Sequence, residues 1–485
     1  MTRWPVRLLT AGALLAAMAV AGGSAVAAGP AQAAGAATGG VPVTVNGGTR
    51  YQHIDGFGFS EAFQRANILH GSLGLSPANQ RRVLDLLFST ASGAGFSIVR
   101  LGIGSSSDDV YDHMESIEPV SPGSPDAPPH WVWDGSDNSQ VWLAQQAQRY
   151  GVHQFYADAW SAPGYMKTNG SDSGGGYLCG VPGESCPSGD WRQAYANELA
   201  QYIAFYAQSG VRITHVGFLN EPELTTSYAS MLSDGPQAAD FIPVLSRALR
   251  ARGLGTKIVC CDGEGWQTGG QYIQAILHDP QAARDLAVAS AHGYTAPPDA
   301  PLTSARPVWE SEWAVFDPWD PAWDDGSDAS GFTWAQHVMT ALTSANVSAF
   351  LYWWGASSST ANSGLIQLQG DSYQASGRLW ALAAFSRFIR PGAQRIGATS
   401  AGPAVTSAAF RNRDGSVVVE LLNSATSAQP VRVTLHDLAP AGRAQPYLTD
   451  AGHQLAAQPR IAVHGGQLVT SAPPRSVLTL VLPAR

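Results

Sequence analysis

At 485 residues, with 28 Lys and Arg against 37 Asp and Glu, a formal charge of −9 and 13% charged side chains, the chain lacks the basic surface that a long phosphate ligand demands. Nucleic acid is excluded as a partner, and an uncharged or weakly charged ligand is expected. The 45% hydrophobic content supports a large core, and 15 Trp with 15 Tyr supply flat apolar faces with hydrogen-bonding edges, the surface that stacks on sugar rings.

Arg3 and Arg7 followed by the short apolar run Leu8–Val20 read as a secretory signal peptide. Cleavage is expected after Ala33, with Ala25-Val26-Ala27 as an earlier alternative. No later stretch has membrane length, so a soluble, secreted, extracellular monomer with no membrane partner is expected. Four cysteines suit one or two bridges in an oxidising compartment. Cys179 and Cys186 flank a Gly/Pro/Ser-rich loop and are the favoured pair. The adjacent Cys260 and Cys261 read first as two small buried residues, with a vicinal bridge or a metal site as the sharper alternatives. The 12 His show no ligand spacing, so neither a catalytic metal nor a cofactor is expected.

Eight strand-like runs follow, with amphipathic helical patterns between most of them. They start at His53 (HIDGFG), Ser97 (SIVRLGI), His153 (HQFYADAW), Ile213 (ITHVGFLN), Lys257 (KIVCCDG), Ala287 (AVASAHGY), Pro307 (PVWESEW) and Val347 (VSAFLYWW). This alternation predicts an α/β fold, a closed (β/α)8 TIM barrel over 53–390. Ser76-Pro77 supplies an N-cap and a first-turn proline. Tyr195, Leu199, Tyr202, Ile203 and Tyr206 repeat at helical spacing until Gly210. The Pro- and Ala-rich stretch 295–306 leaves little room for a helix between the sixth and seventh strands. Beyond Arg390-Pro391-Gly392 the pattern turns to alternating β-type runs, Ser416–Asn423, Val431–Leu435 and Ser476–Leu482, which predict a C-terminal side β-sandwich over 391–485. The N-terminal segment 34–52, with Val41–Gly47 as its strand, is expected to join that sandwich.

In such barrels the working residues project from the C-terminal strand ends. Those ends carry Arg100, Trp160, Asn220-Glu221, His292 and Tyr294, Glu312 and Trp353. Two carboxylates are the minimum machinery for glycoside hydrolysis, and in a retaining enzyme they stand about 5 Å apart. Glu221 is expected to hold a proton, and Glu312 to be ionised beside donors such as Arg100 and Tyr294, with Asn220 aimed at the sugar 2-hydroxyl. Glu223 and Glu310 lie two residues from the chosen pair and share its strand face by alternation; they read as rim or packing partners. Gly102-Ile103-Gly104 lacks the third glycine and the helix of a dinucleotide fingerprint and reads as a turn.

At these residues the sequence resembles glycoside hydrolase family 30, a retaining family of clan A. The segments are IDGFGFSEAF, VRLGIGSSSDD, ADAWSAPGYMKTNG, GFLNEPE, AHGY, VWESEWA and RLWALAAFSRFIRPG. The resemblance implies the acid/base role for Glu221 and the nucleophile for Glu312. SIEPVSPGSPDAPPHWVWDG and YLCGVPGESCPSGDWRQAYA are most similar to the subfamily of fungal glucuronoxylanases and xylobiohydrolases, subfamily 7. That resemblance implies a clamp for a glucuronate branch at Arg65, whose guanidinium suits a carboxylate, although a helix-start Arg in a surface ion pair is the plainer reading. The stretch GASSSTANSG after the eighth strand lacks the arginine of the bacterial glucuronoxylanases. The expected function is a secreted retaining endo-β-1,4-xylanase acting on xylan or glucuronoxylan. The alternatives are a β-1,6-glucanase or glucosylceramidase-like hydrolase, and a non-catalytic carbohydrate-binding protein.

Overall fold

The computed structural model describes residues 40–440 and 442–484. The expected signal segment, 1–33, lies outside the described residues. β1 (Val41–His53) opens the described chain. Eight parallel strands then follow as β2 (Gly56–Ser60), β3 (Ile98–Ile103), β4 (Gln154–Ala159), β5 (His215–Val216), β6 (Lys257–Gly263), β7 (Leu286–Ala291), β8 (Val308–Trp313) and β9 (Ala349–Ser357). β2 pairs with both β3 and β9, and β9 pairs with β8, so the sheet closes into a barrel. Nearly every residue of these strands is buried, because helices cover the outer face and side chains fill the lumen.

The helices begin and end where local chemistry dictates. Ser76 accepts from the Asn79 amide ahead of helix Pro77–Phe88, and Asp234 forms a reciprocal capping box with Gln237 ahead of helix Gly235–Ala251. Helix Arg192–Gln208 buries Tyr195, Leu199, Tyr202, Ile203 and Tyr206, the expected stripe. As the short 295–306 stretch implied, no helix joins β7 to β8 among the described residues.

Three expectations about the barrel strands need correction. His53 does not open the barrel: it ends β1 opposite Gln394, and the first barrel strand starts at Gly56. The fourth barrel strand is laddered only at His215–Val216. Just beyond it the Gly217 amide still donates to the Ala157 carbonyl of β4 at 2.8 Å, and Asp158 and Tyr156 take the space where a β-carbon on Gly217 would sit. Gly102 lies inside β3, not in a turn; it allows Met114 and Ala62 to pack against the backbone.

The C-terminal region is a curled ten-stranded sheet forming the β-sandwich, and β1 enters it antiparallel to Gln394–Ser400 and parallel to Gln429–His436. In strand Val417–Asn423, Val417, Val419 and Leu421 fill the sandwich core, while Val418 and Leu422 join the cluster that includes Leu382 and Phe385 of the last barrel helix, Gly377–Ser386. A strand buried on both faces shows no polar alternation, and its one charged residue, Glu420, is itself fully buried and accepts from the Thr479 hydroxyl at 2.7 Å.

Cys179 and Cys186 are bonded, as expected. Cys260 and Cys261 are buried as read, but they form a vicinal disulfide rather than standing as two free thiols. An apolar run reports burial and is silent on bonding between neighbours within it.

Candidate active site

The polar strand ends converge. Arg100 on β3 is wholly buried at the centre. One terminal nitrogen donates to Oε2 of Glu312 on β8; the other donates to Asp158 at 2.6 Å, to Oδ1 of Asn220 at 2.6 Å and to Asp262 at 2.9 Å. Its guanidinium lies 4.5 Å from the Trp160 ring centre. Tyr294 donates its hydroxyl to the other oxygen of Glu312 at 2.8 Å. His292, just past β7, contacts Oε1 of Glu221 through Nδ1 at 3.1 Å. One carboxylate oxygen of Glu221, one of Glu312 and a ring nitrogen of His292 all lie within 4.8 Å of one another.

The backbone fixes Glu221 before its side chain does. After the short β5, the Glu221 amide donates to the Asp262 carbonyl at 2.8 Å, and Glu221 adopts φ of 43°. That left-handed conformation costs an L-residue about 1–2 kcal/mol, and such strain persists only where the surroundings over-determine it.

The electrostatics follow from burying two cations among several carboxyls. Burial is the largest influence on Asp262 and would raise its pKa, but Arg100 and His292 together outweigh it and hold this carboxyl well below its usual range. Tyr156 and Ser311 also donate to Asp262, each at 2.7 Å. For Asp158, burial and the nearby Asp262 prevail over Arg100, and its pKa lies well above normal. Burial would strip His292 of its proton, yet Glu312, Asp262 and Glu221 reverse the balance and raise its pKa. Burial lifts Glu312 above 4.5 against the pull of His292, Arg100 and Tyr294. The centre therefore favours Arg100 and His292 as cations beside Asp262 and Glu312, with burial pushing Asp158 toward its neutral form.

Above this floor opens a cavity of about 470 Å³, lined by Glu221, Glu312, Tyr294, Trp160, Trp353, Trp354, Phe63, Tyr228, Phe316, Leu224, Asp112 and Glu264. Trp160 and Trp353 are thus wall residues, with ring centres 5.7 Å apart. Asn220 and His292 sit beneath the walls. Because Oδ1 of Asn220 faces Arg100, its NH2 end is what remains to offer a ligand.

Arg65 stands apart from the central cluster. It packs 3.9 Å over Trp354, donates to the Phe63 carbonyl and pairs with Asp112. The ion-pair reading of Arg65 thus describes its partner, at the margin of the cleft. Of the two decoys, Glu310 is fully buried and accepts from the Leu351 amide, and Glu223 accepts from the Glu264 amide at 2.6 Å; both brace backbone.

Sequence reasoning missed Asp158, Asp262, Tyr156 and most of the walls. Alternation could have found the first and third, since Tyr156, Asp158 and Trp160 share one strand face. Asp262 ends the fifth predicted strand, an end left out of the candidate set. Among the described residues, Glu221, His292 and Glu312 are the one set with spacing suited to a metal ion, but both oxygens of Glu312 already accept hydrogen bonds from Arg100 and Tyr294. The Arg100 guanidinium already neutralises that carboxylate, and its positive charge would repel a metal ion placed beside it.

Comparison with known proteins gives matches along most of the described chain. Residues 54–307 match the glycosyl hydrolase family 30 TIM-barrel domain and residues 392–480 the family 30 beta sandwich domain. The catalytic domain of GH30 xylanase C from Talaromyces cellulolyticus superposes with a TM-score of 0.85 at 42% identity, covering 91% of this chain and 100% of that one. Lysosomal acid glucosylceramidase of Mus musculus is 25% identical over 82% of this chain and 80% of its own length. An endo-1,6-beta-D-glucanase of Trichoderma harzianum is 26% identical over 72% of this chain and 74% of its own.

Proposed function

The chain belongs to glycosyl hydrolase family 30 and is a glycosidase, and from that premise we propose that it is a secreted retaining endo-β-1,4-xylanase that acts on xylan and glucuronoxylan. The carboxylate pair just past β5 and on β8 carries the mechanistic part: oxygens of Glu221 and Glu312 within 4.8 Å match the short separation of a retaining pair, against the roughly 6.5–9.5 Å by which an inverting pair makes room for a water on the far face of the sugar. The substrate part is supported by the 42% identity to xylanase C, well above the 25% and 26% to the glucosylceramidase and the glucanase.

In the first step Glu221 gives its proton to the glycosidic oxygen while Glu312 attacks the anomeric carbon. The C–O bond to the leaving chain breaks and an ester to Glu312 forms. Having given up its proton to the leaving chain, Glu221 becomes the base. It takes a proton from water, whose oxygen attacks the same carbon, releases Glu312 and restores the original configuration. Arg100 and Tyr294 aim the nucleophile and disperse its charge. Asn220 offers its NH2 to the 2-hydroxyl, a contact that strengthens in the transition state. Trp160 and Trp353 supply apolar faces to the pyranose rings.

The deciding test incubates the purified protein with linear xylan, glucuronoxylan and the β-1,6-glucan pustulan. Xylo-oligosaccharides that first appear as the β-anomer are expected. Glucose from pustulan with nothing from either xylan would replace this reading by the β-1,6-glucanase one. Export is tested by the N-terminus of protein recovered from culture medium, expected to follow Ala33 or Ala27.

A further inference from the structure

Resting on the xylanase reading, we propose that Lys167 is a positioning residue: its ammonium clasps the stretch just past β4, which carries Trp160, to the loop that carries Tyr228. It thereby holds two walls of the cleft at the spacing a xylan chain needs.

Lys167 follows the single turn Gly164–Met166 and is 4% exposed. Its Nζ donates to Oγ of Ser161 at 2.9 Å, to the Ser230 carbonyl at 2.5 Å and to the Asp172 carbonyl at 3.3 Å. Ser161 spends its own proton on the Ala162 carbonyl at 2.8 Å, so toward Lys167 it accepts. Ser161 adjoins Trp160, and Ser230 lies two residues past Tyr228. Both rings line the cavity of Glu221 and Glu312, and each meets Phe63 edge-on, at 5.1 and 5.8 Å. The third segment, around Asp172, is laced to the Tyr228 loop: the Ser230 amide donates to the Asp172 carbonyl and the Gly174 amide to the Thr226 carbonyl, each at 2.8 Å. Three backbone segments are thus joined at one nitrogen.

An ammonium carries three N–H donors, and three oxygens receive them here. A neutral amine has two donors and a lone pair, which would leave one buried oxygen facing that lone pair without a hydrogen. The clasp therefore requires the charge. Its partners are two carbonyls and a hydroxyl. Asp172, whose carboxylate accepts from the Ser106 hydroxyl at 2.5 Å, is the one charged group acting on Lys167 among the described residues. Burial outweighs that carboxylate and lowers the Lys167 pKa from 10.5 to about 7. Below that pH the clasp is complete, and above it one contact is missing. Glu221, Glu312 and Arg100 are not among the partners of Lys167, so the effect falls on binding of the chain rather than on bond cleavage.

The test measures xylohexaose affinity by calorimetry at pH 6 and pH 8.5 in the Glu312→Ala background, where turnover does not interfere. Affinity should fall about tenfold between the two, the scale of one buried acceptor left without a donor. Adding Lys167→Met should leave affinity weak at both values and abolish the step. Adding Ser161→Ala removes one acceptor, so the two N–H groups of the neutral amine suffice for the two carbonyls, and the step should vanish there also. That variant deletes a single oxygen and decides the matter even if Lys167→Met fails to fold. A step that survives Ser161→Ala or Lys167→Met belongs to another group and overturns the proposal, as does equal affinity at the two pH values with Lys167 and Ser161 intact. Absence of xylohexaose binding at both pH values with Lys167 and Ser161 intact refutes the xylanase reading instead, so the two failures are distinguishable.

Discussion

Tyr294 and Glu312 are joined by a 2.8 Å hydrogen bond from the phenol to Oε1, on the opposite side of the carboxylate from Arg100. A donor to the ionised form favours it, so removing the donor raises the pKa of the carboxyl. Tyr294→Phe should lower kcat by roughly 10- to 100-fold, the loss of one positioned donor at a charged centre. It should also move the acid limb of the kcat/KM pH profile upward, because Glu312 must be ionised to attack. An unshifted acid limb would show that the phenol does not tune the nucleophile.

Glu312→Ala should abolish turnover while leaving xylo-oligosaccharide binding measurable by calorimetry. Added azide should then restore cleavage of an aryl β-xyloside, giving the α-xylosyl azide. Glu221→Ala should be most impaired on xylan and least on aryl xylosides with acidic leaving groups, and its azide product should be β. Exchanged anomers would reverse the two assignments.

Asp262 accepts from Arg100, Tyr156 and Ser311 with no exposure to solvent. Asp262→Asn leaves Arg100 and His292 short of one counter-charge, and breaking a buried pair in this way costs about 3–5 kcal/mol. Urea unfolding at neutral pH should show that loss, against a change near zero for substitution of the exposed Asp126.

Two buried carboxyls outside the lining of the cleft set a pH dependence of stability. Burial raises Glu198 behind the barrel and Glu420 in the sandwich from 4.5 to about 8 in each case. Between those values the native state binds protons that the unfolded chain has lost, so their contribution is complete below 4.5 and is lost as pH rises through 8. Glu198→Gln and Glu420→Gln should each be more stable than the parent protein at pH 9, with the gap closing by pH 5. Parallel Tm-versus-pH curves would contradict this.

The barrel was legible because its strands are short apolar runs separated by capped helices, and the missing helix before β8 was legible from the proline content of 295–306. Glu221, Glu312 and Arg100 stood out because they sit at the C-terminal ends of barrel strands, where working side chains project. What escaped was the pairing itself: Asp158 and Asp262 are remote in sequence from Arg100, and no local pattern says which buried acids share one guanidinium. The hidden partner of Arg65 has the same cause, since Asp112 lies in a loop whose path only the assembled barrel defines. The cysteine neighbours 260 and 261 show the complementary limit, where adjacency was evident and bonding was not.

β1 has a temporal consequence. Val43 faces Ser400 on one side and Val433 on the other, so this strand finds neither neighbour until nearly the whole chain has emerged. At a synthesis rate of about 5–20 residues per second that wait lasts on the order of half a minute. Throughout it, a strand whose Val43 and Val45 belong in the core trails a growing polypeptide with both edges bare, so completion of the sandwich is the closing event of biogenesis, and a ribosome that stops short of residue 400 leaves that strand open to the wrong partners.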